Sequence, residues 1–444
     1  MMEAIHEALP VIMFVVLTFL LLAGFPVAFT IMGTALGFGL IGFGWDFFNL
    51  MPLRIWGIMT NFTLLAVPLF IFMGVVLERS GLAEELLETM ALVFGRLRGG
   101  LAASVVIVGM LLGASTGIVG ATVVTMGLIS LPTMLKRGYH PELATGTIAA
   151  SGTLGQIIPP SIVLVLLGDI IGVSVGDLFM GAVIPGLLLV GLYLIYILIY
   201  SSFNKERAPI LSDEEWAEVL EKGLVKRLVR AILPPVLLMM TVLGSILAGV
   251  ASPTEAAAVG AMGAMILATL NRKLSLDMLQ RVMRSTTNLT CMVFIILVGA
   301  GALGLVFRGL GGDHLIRDYL QHIPYGKWGV LAIVMILIFV LGFILDFIEI
   351  TFIHIPVLAP IMIEFGFDPL WFAILFAINL QTSFMTPPFG FSLFYLKGVS
   401  PPEIKTGHIY RGIIPFVGLQ IAALVLVVIF PQMATWFPRY VFGP

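Results

Sequence analysis

Two carboxylates, Asp346 and Glu349, stand three residues apart inside a run, 328–363, that holds no other Asp, Glu, Lys or Arg. At that spacing they share one helical face. Carboxylates are costly in hydrocarbon, which makes the pair a functional candidate. Glycine, proline and hydroxyl residues gather in two further apolar stretches, Gly152-Thr-Leu-Gly-Gln156-Ile-Ile-Pro-Pro-Ser161 and Gln381-Thr-Ser-Phe-Met-Thr386-Pro-Pro-Phe-Gly390. The second proline of each pair lacks an N–H and its ring clashes with the preceding turn, so two crossings are predicted to split into half-helices at Pro159, Pro160, Pro387 and Pro388. Irregular backbone at membrane depth is tolerated only where it is buried or lines a cavity. Carbonyls freed there can coordinate a cation, and half-helix amino ends can face an anion. Midway through the run 101–135, Gly113-Ala-Ser115-Thr116-Gly117 places small and hydroxyl residues where a turn must come, although small residues also serve plain close packing. His354 reads as a packing residue rather than a proton relay.

The elements that position these residues follow from composition. The chain has 444 residues, of which 59% are hydrophobic and 11% charged, too few to cover a water-facing surface. The fold class is therefore an all-α polytopic membrane protein. At roughly 20 apolar residues per crossing the length admits about a dozen membrane segments and no sizeable soluble domain. Apolar runs fall at about 9–24, 26–44, 62–78, 101–135, 142–170, 177–202, 229–251, 253–271, 286–307, 328–363, 369–396 and 409–438. The runs 101–135 and 328–363 are too long for one helix and too short for two full crossings. Arg96 and Arg98 precede the first, and Lys136 and Arg137 follow it, so both its ends are predicted in the cytoplasm. The second ends at Glu364-Phe-Gly-Phe-Asp368 with no basic residue, as expected of a return to the outer face. Both runs are expected to be re-entrant hairpins entering from opposite faces.

An internal repeat points the same way. Pro132 and Pro360, Gly138 and Gly366, Pro141 and Pro369, Pro159 and Pro387, and Pro160 and Pro388 are each 228 residues apart. Near the front, Pro26 and Gly33 match Pro253 and Gly260 at 227. Each half then carries five crossings and one hairpin, and an odd number inverts the second half. The expected division is a first repeat at 1–225, with an amphipathic linker at 203–225, and a second at 226–444. The hairpin-bearing transport elements are expected at about 97–170 and 325–397, with scaffold and arms making up the remainder. Lys205, Arg207, Lys222, Lys226, Arg227 and Arg230 cluster at the join, and both termini are predicted outside. Residues 212–222 start with a capping-box pattern at Ser212 and are expected to form an interfacial helix. Stretches 82–95, 274–284 and 313–323 mix Leu or Met with charge at helical spacing, as surface arms do and as cytoplasmic helices packed on loops equally would. The amino terminus has neither the positive charge nor the cleavage site of a signal peptide.

Other chemistries are absent. The single cysteine, Cys291, allows no internal disulfide, and 23 basic against 25 acidic residues removes nucleic acid as a partner. No phosphate loop, His-Glu-x-x-His or nucleophile elbow occurs, so an enzyme is not expected. Gly37-x-Gly39-x-x-Gly42 has a dinucleotide spacing but lies in a membrane run with no preceding strand. A channel needs a continuous polar stripe, which the scattered polar residues do not supply.

Over essentially its whole length the sequence resembles the large membrane (permease) subunit of the tripartite ATP-independent periplasmic (TRAP) transporters, the DctM-like family. The matching stretches are Gly24-Phe-Pro-Val-Ala28, Pro68-Leu-Phe-Ile-Phe-Met-Gly74, Gly152 to Ser161, Ser252-Pro-Thr-Glu-Ala-Ala-Ala258 and Met385-Thr-Pro-Pro-Phe-Gly390. The resemblance implies an elevator-type secondary transporter of the ion-transporter superfamily in a bacterial inner membrane, importing an organic acid anion with sodium as coupling ion and no cofactor. It also implies two partners, a small integral membrane subunit and a periplasmic substrate-binding protein. Sodium binding is then expected at Ser115, Thr116, Ser151 and Gly152, and again at Asp346, Thr382 and Thr386. Substrate contacts are expected from Ser115, Thr116, Gln156, Glu349 and Gln381. Asp346-x-x-Glu349 and Gly113-Ala-Ser-Thr depart from the Ser-rich hairpins of the sialic-acid branch and look closer to branches handling other carboxylates or more hydrophobic acids. A stand-alone sodium-coupled dicarboxylate or citrate carrier is the alternative reading.

Overall fold

The computed structural model describes residues 2–210 and 224–443, with backbone alone for 2–7, 115, 116 and 224–226. Among them every regular element is helical. The first half runs α1 (Met2–Leu22), α2 (Val27–Phe43), α3 (Met51–Met59), α4 (Ala66–Arg79), α5 (Leu82–Val93), α6 (Gly100–Thr116), α7 (Val119–Lys136), α8 (Pro141–Thr153), α9 (Ile162–Ile171) and α10 (Val175–Phe203). The second runs α11 (Leu224–Leu247), α12 (Pro253–Leu270), α13 (Leu276–Gly309), α14 (Gly312–Gln321), α15 (Gly326–Leu341), α16 (Phe347–Ile353), α17 (Ile355–Glu364), α18 (Pro369–Met385), α19 (Phe391–Val399), α20 (Thr406–Ile429) and α21 (Gln432–Phe442). Among the described residues seven helices are long and apolar enough to cross a bilayer, or up to nine if each of two bent pairs is one span. This is a multi-pass membrane protein.

Local chemistry sets the helix ends. Proline occupies the first helical position of α8, α12 and α18, where its missing N–H costs nothing. Ser252 and Glu255 close a capping box on α12, with Glu255 Oε2 accepting from the Ser252 N–H at 2.7 Å. Asp368 accepts from the Trp371 N–H at 3.0 Å at the start of α18. The sequence expectations need three adjustments. Stretch 274–284 is no separate arm, because α13 continues through it as one helix of 34 residues. Run 409–438 is two helices, parted at Phe430-Pro431. Residues 51–59, outside every expected run, form α3. The expected interfacial helix at 212–222 lies outside the described residues.

Both long runs fold back on themselves. Gly117, in the left-handed region at φ 62°, ends α6, and α7 starts two residues later and packs along it. Their far ends meet, since the Leu101 N–H donates to Tyr139 Oη at 3.2 Å. In the second run Trp328, at the start of α15, and Phe367, just past α17, have ring centroids 5.6 Å apart. A bend of 56° at His354 separates α16 from α17. The two mouths lie at opposite ends of α10. A side chain on Gly99 would collide with Ser201, and one on Gly181 would stand 3.2 Å from Leu370. From position 181 to 201 a helix rises about 30 Å, roughly a hydrocarbon core.

Packing sorts the helices into two groups. α1, α2, α4, α11, α12 and α13 pack on one another, whereas α6 to α9 and α15 to α19 build a second body around the breaks. α10 and α20 join that second body: α20 lies along α8, where Gly146 and Gly412 bring the two backbones together. Lipid tails supply no hydrophobic force between helices, so small residues carry this close packing.

Candidate functional site

The helix breaks form the centre of the second body. α8 ends at Thr153, a 3-10 turn covers Leu154–Gln156, and α9 resumes at Ile162; α18 ends at Met385 and α19 resumes at Phe391. Pro159-Pro160 and Pro387-Pro388 sit inside these gaps, and both peptide bonds are cis. At each break one carbonyl takes a serine hydroxyl from beyond the gap: Ser161 Oγ donates to the Gln156 carbonyl at 2.7 Å, and Ser392 Oγ donates to the Phe384 carbonyl at 2.8 Å. Gln156 and Phe384 are repeat mates, so the same repair recurs in both halves.

Each hairpin tip is pressed against one of these helices through minimal side chains. A methyl on Gly113 would stand 2.7 Å from the Gly155 nitrogen, and one on Gly342 would stand 2.7 Å from Ser383 Cβ. Gly155 and Ser383 are again repeat mates. Gly109 meets Ser151 in the same way, and Gly152 lies against Val123 of α7.

The expected site residues are distributed as follows. Ser115 and Thr116 occupy the last turn of α6, and their side chains lie outside the described residues. Ser151 donates to the Ile148 carbonyl at 3.1 Å, Thr382 to the Ile378 carbonyl at 2.8 Å, and Thr386 to the Thr382 carbonyl at 2.7 Å, leaving each hydroxyl oxygen's lone pairs as acceptors. Oxygen donors of this kind suit a hard cation. Asp346 and Glu349 form a capping box on α16: Asp346 Oδ1 accepts from the Phe347 N–H at 2.7 Å, and Glu349 Oε2 accepts from the Asp346 N–H at 3.1 Å. Gln381 Nε2 donates to Thr153 Oγ1 at 3.2 Å, while its carbonyl oxygen has no partner among the described residues. Gln156 is fully buried, and among the described residues neither side-chain atom has a partner. Buried amides left unpaired are costly, which sets Gln156 apart from a packing residue. His354 packs beside Phe14, ring centroids 6.0 Å apart, and its buried Nδ1 has no hydrogen-bond partner among the described residues.

Two cavities of about 410 Å³ flank this body where it meets the first group of helices. One lies between the tips, with Ile118 and Val119 of the first hairpin, Asp346 and Phe347 of the second, Tyr395 of α19, and Glu78 and Arg79 of α4. Its neighbour Thr125 donates to Glu78 Oε1 at 3.0 Å, joining α7 to α4. The other is bordered by Asn61, Asp169, Phe352, Pro356 and Pro360, and there Asn61 Nδ2 donates to Asp169 Oδ1 at 2.5 Å. Glu78 and Asp169 were missed as site residues. Each is an acid at or just inside the end of an apolar run, which was the available signal. At the mouth of the first hairpin, outside the spanning segments, burial and the Arg207 guanidinium push His140 below the ordinary histidine range, against the opposing pull of Glu142.

A family model described as "Tripartite ATP-independent periplasmic transporter, DctM component" matches residues 13–433. The C4-dicarboxylate TRAP transporter large permease protein of Pseudomonas aeruginosa is 31% identical over 382 residues, 86% of this chain and 87% of that one. The ectoine/5-hydroxyectoine TRAP transporter large permease of Ruegeria pomeroyi is 31% identical over 383 residues, 86% and 87% of the two chains. Among solved structures, the Alcanivorax borkumensis YdaH transporter superposes with a TM-score of 0.59 at 15% identity, covering 90% of this chain and 91% of that one, which shows a shared fold.

Proposed function

Because this chain belongs to the tripartite ATP-independent periplasmic transporter family as its DctM component, a permease and not an enzyme, we propose that it imports an organic acid anion across a bacterial inner membrane, driven by a sodium gradient. A periplasmic substrate-binding protein delivers the acid, and a small membrane subunit completes the transporter. The observation that carries the reading is the pair of hairpins opening toward opposite ends of α10 with their tips against two broken helices. Both hairpins are re-entrant in this reading, and the repeats 1–225 and 226–444 are inverted in the bilayer. The basic residues around the first mouth put it in the cytoplasm, so the cavity between the tips faces inward and the Asn61–Asp169 cavity faces outward.

In this reading sodium binds at Ser115, Thr116, Ser151 and Gly152 and at Asp346, Thr382 and Thr386, residues drawn in each case from a hairpin and the broken helix beside it. Gln156, Gln381 and Glu349 supply polar contacts to the acid together with the first tip. The hairpin body then moves as a unit against the α4–α12–α13 scaffold, exposing its centre to one cavity and then the other. Glu78 to Thr125 and Asn61 to Asp169 are the polar contacts this motion exchanges.

The test is uptake into vesicles containing this chain, its small subunit and the loaded binding protein. Accumulation is expected only with an inward sodium gradient, and equal accumulation without sodium refutes the coupling. Uptake by the chain alone, undiminished by omitting both partners, replaces the tripartite reading with that of a stand-alone carrier.

A further inference from the structure

The Asn61–Asp169 cavity holds two arginines that neither motif nor repeat singled out. Arg54 on α3 and Arg308 in the last turn of α13 both line it. Neither has a carboxylate within 4 Å among the described residues. Asp169, the acid in the same cavity, is engaged by Asn61 instead. Both guanidinium groups lie over one glycine-paved stretch of α13. A methyl on Gly301 would stand 3.4 Å from Arg54 Nε, and Arg308 Nε donates to the Gly304 carbonyl at 3.3 Å. Larger residues at 301 and 304 would fill the place where the two side chains converge. Both arginines are exposed at the cavity, and like charges sharing a cavity repel unless an anion lies between them.

We propose that Arg54 and Arg308 form a receiving site for the carboxylate of the transported acid, at the border between the scaffold and the hairpin body. The assignment rests on the organic-acid reading and adds to it a first binding station, distinct from the Gln156 and Gln381 region. An incoming carboxylate pairs with one or both guanidinium forks, which present parallel N–H donors suited to it. Asp169 stands behind them, held by Asn61, so the cavity keeps an excess of positive charge while the acid arrives. The cavity between the tips has the opposite balance, with Glu78 and Asp346 against Arg79. An anion is therefore held on the arginine side and released more readily on the other.

Phenylglyoxal labelling of the purified transporter, read residue by residue by mass spectrometry, tests the site without relying on sodium coupling. Succinate and N-acetylneuraminate are the probes, with glucose as the uncharged control. Slower labelling of Arg54 and Arg308 with either acid, and unchanged labelling with glucose, is the expected result. Equal labelling with and without both acids overturns the proposal. In vesicles, Arg54→Gln and Arg308→Gln should each raise KM about tenfold, the Lys variants should recover part of that, and Arg281→Gln, on the far end of α13, should leave KM unchanged. Gln variants that weaken docking of the binding protein, with neither acid protecting either arginine in the parent, would assign the arginines to protein docking and overturn the site. A transporter that shows acid protection but no sodium dependence would instead remove the coupling mechanism and leave the site standing.

Discussion

Gln381 donates its side-chain amide to the hydroxyl of Thr153 across 3.2 Å, and the two residues lie 228 positions apart in the chain. That separation is the one that relates Pro132 to Pro360 and Pro159 to Pro387. In the inverted-repeat reading a residue that touches its own repeat mate sits on the axis relating the two halves, which then passes between α8 and α18; the hairpin tips approach these segments at Gly155 and Ser383.

Removing this bond has a defined cost. Thr153→Val leaves the buried Gln381 amide without its acceptor and should lower stability by about 1–3 kcal/mol. Adding Gln381→Leu removes the stranded amide as well, so the double variant should be less destabilised than the sum of the singles. Thermal unfolding of the detergent-purified protein checks this, and strict additivity would show that the pair is not coupled.

Backbone contact at the tips predicts a size rule. Gly155→Ala should destabilise by about 1–3 kcal/mol, because the added methyl meets the Gly113 backbone, which cannot yield. Gly342→Ala meets the Ser383 side chain instead. Ser383→Gly in the same chain should restore its melting temperature, and the absence of rescue would place the strain elsewhere.

The capping geometry separates two roles of Asp346. Asp346→Ala should cost about 1 kcal/mol through loss of the cap on α16, while Asp346→Asn keeps an acceptor and should melt near the parent. If Asp346 also binds sodium, Asn should raise the sodium concentration for half-maximal uptake severalfold. Normal sodium dependence in a normally folded Asp346→Asn protein would restrict the residue to capping.

The proposed movement of the hairpin body against the scaffold can be tested by cross-linking. With the exposed Cys291 replaced by serine, cysteines at Glu78 and Thr125, whose side chains now hydrogen-bond at 3.0 Å, should accept a short thiol cross-linker. Uptake should fall to background and return on cleavage of a reducible linker. Full uptake by a verified cross-linked sample would rule out motion between α4 and α7.

Much of the architecture was legible from composition and pattern, because hydrocarbon forces every backbone group into local hydrogen bonds and leaves helices as the way to span it. Runs of apolar residues, the fixed offset between prolines and the arginines and lysines at run ends therefore pointed to helices, duplication and hairpins. The paired breaks were visible because proline acts on its own turn. The bend at His354 and the split at Phe430 stand beside Pro356 and Pro431, local signals that the apolar runs around them masked. The continuity of α13 was not visible, because its charged first turns look like a separate surface segment.

The individual roles were decided by tertiary structure alone. Asp346 and Glu349 share a face in any helix, yet whether they point into a cavity or close a cap depends on where α16 begins. Thr153 and Gln381 were repeat mates on paper, and only folding brought them within hydrogen-bonding distance. Arg54, Asn61, Asp169 and Arg308 carry no pattern that links them, because a cavity between two packed bodies draws its lining from segments far apart in the chain. Sequence specifies what each segment can do with its own neighbours; which partners it meets is set by helix packing, where a missing methyl on glycine decides how closely two backbones approach.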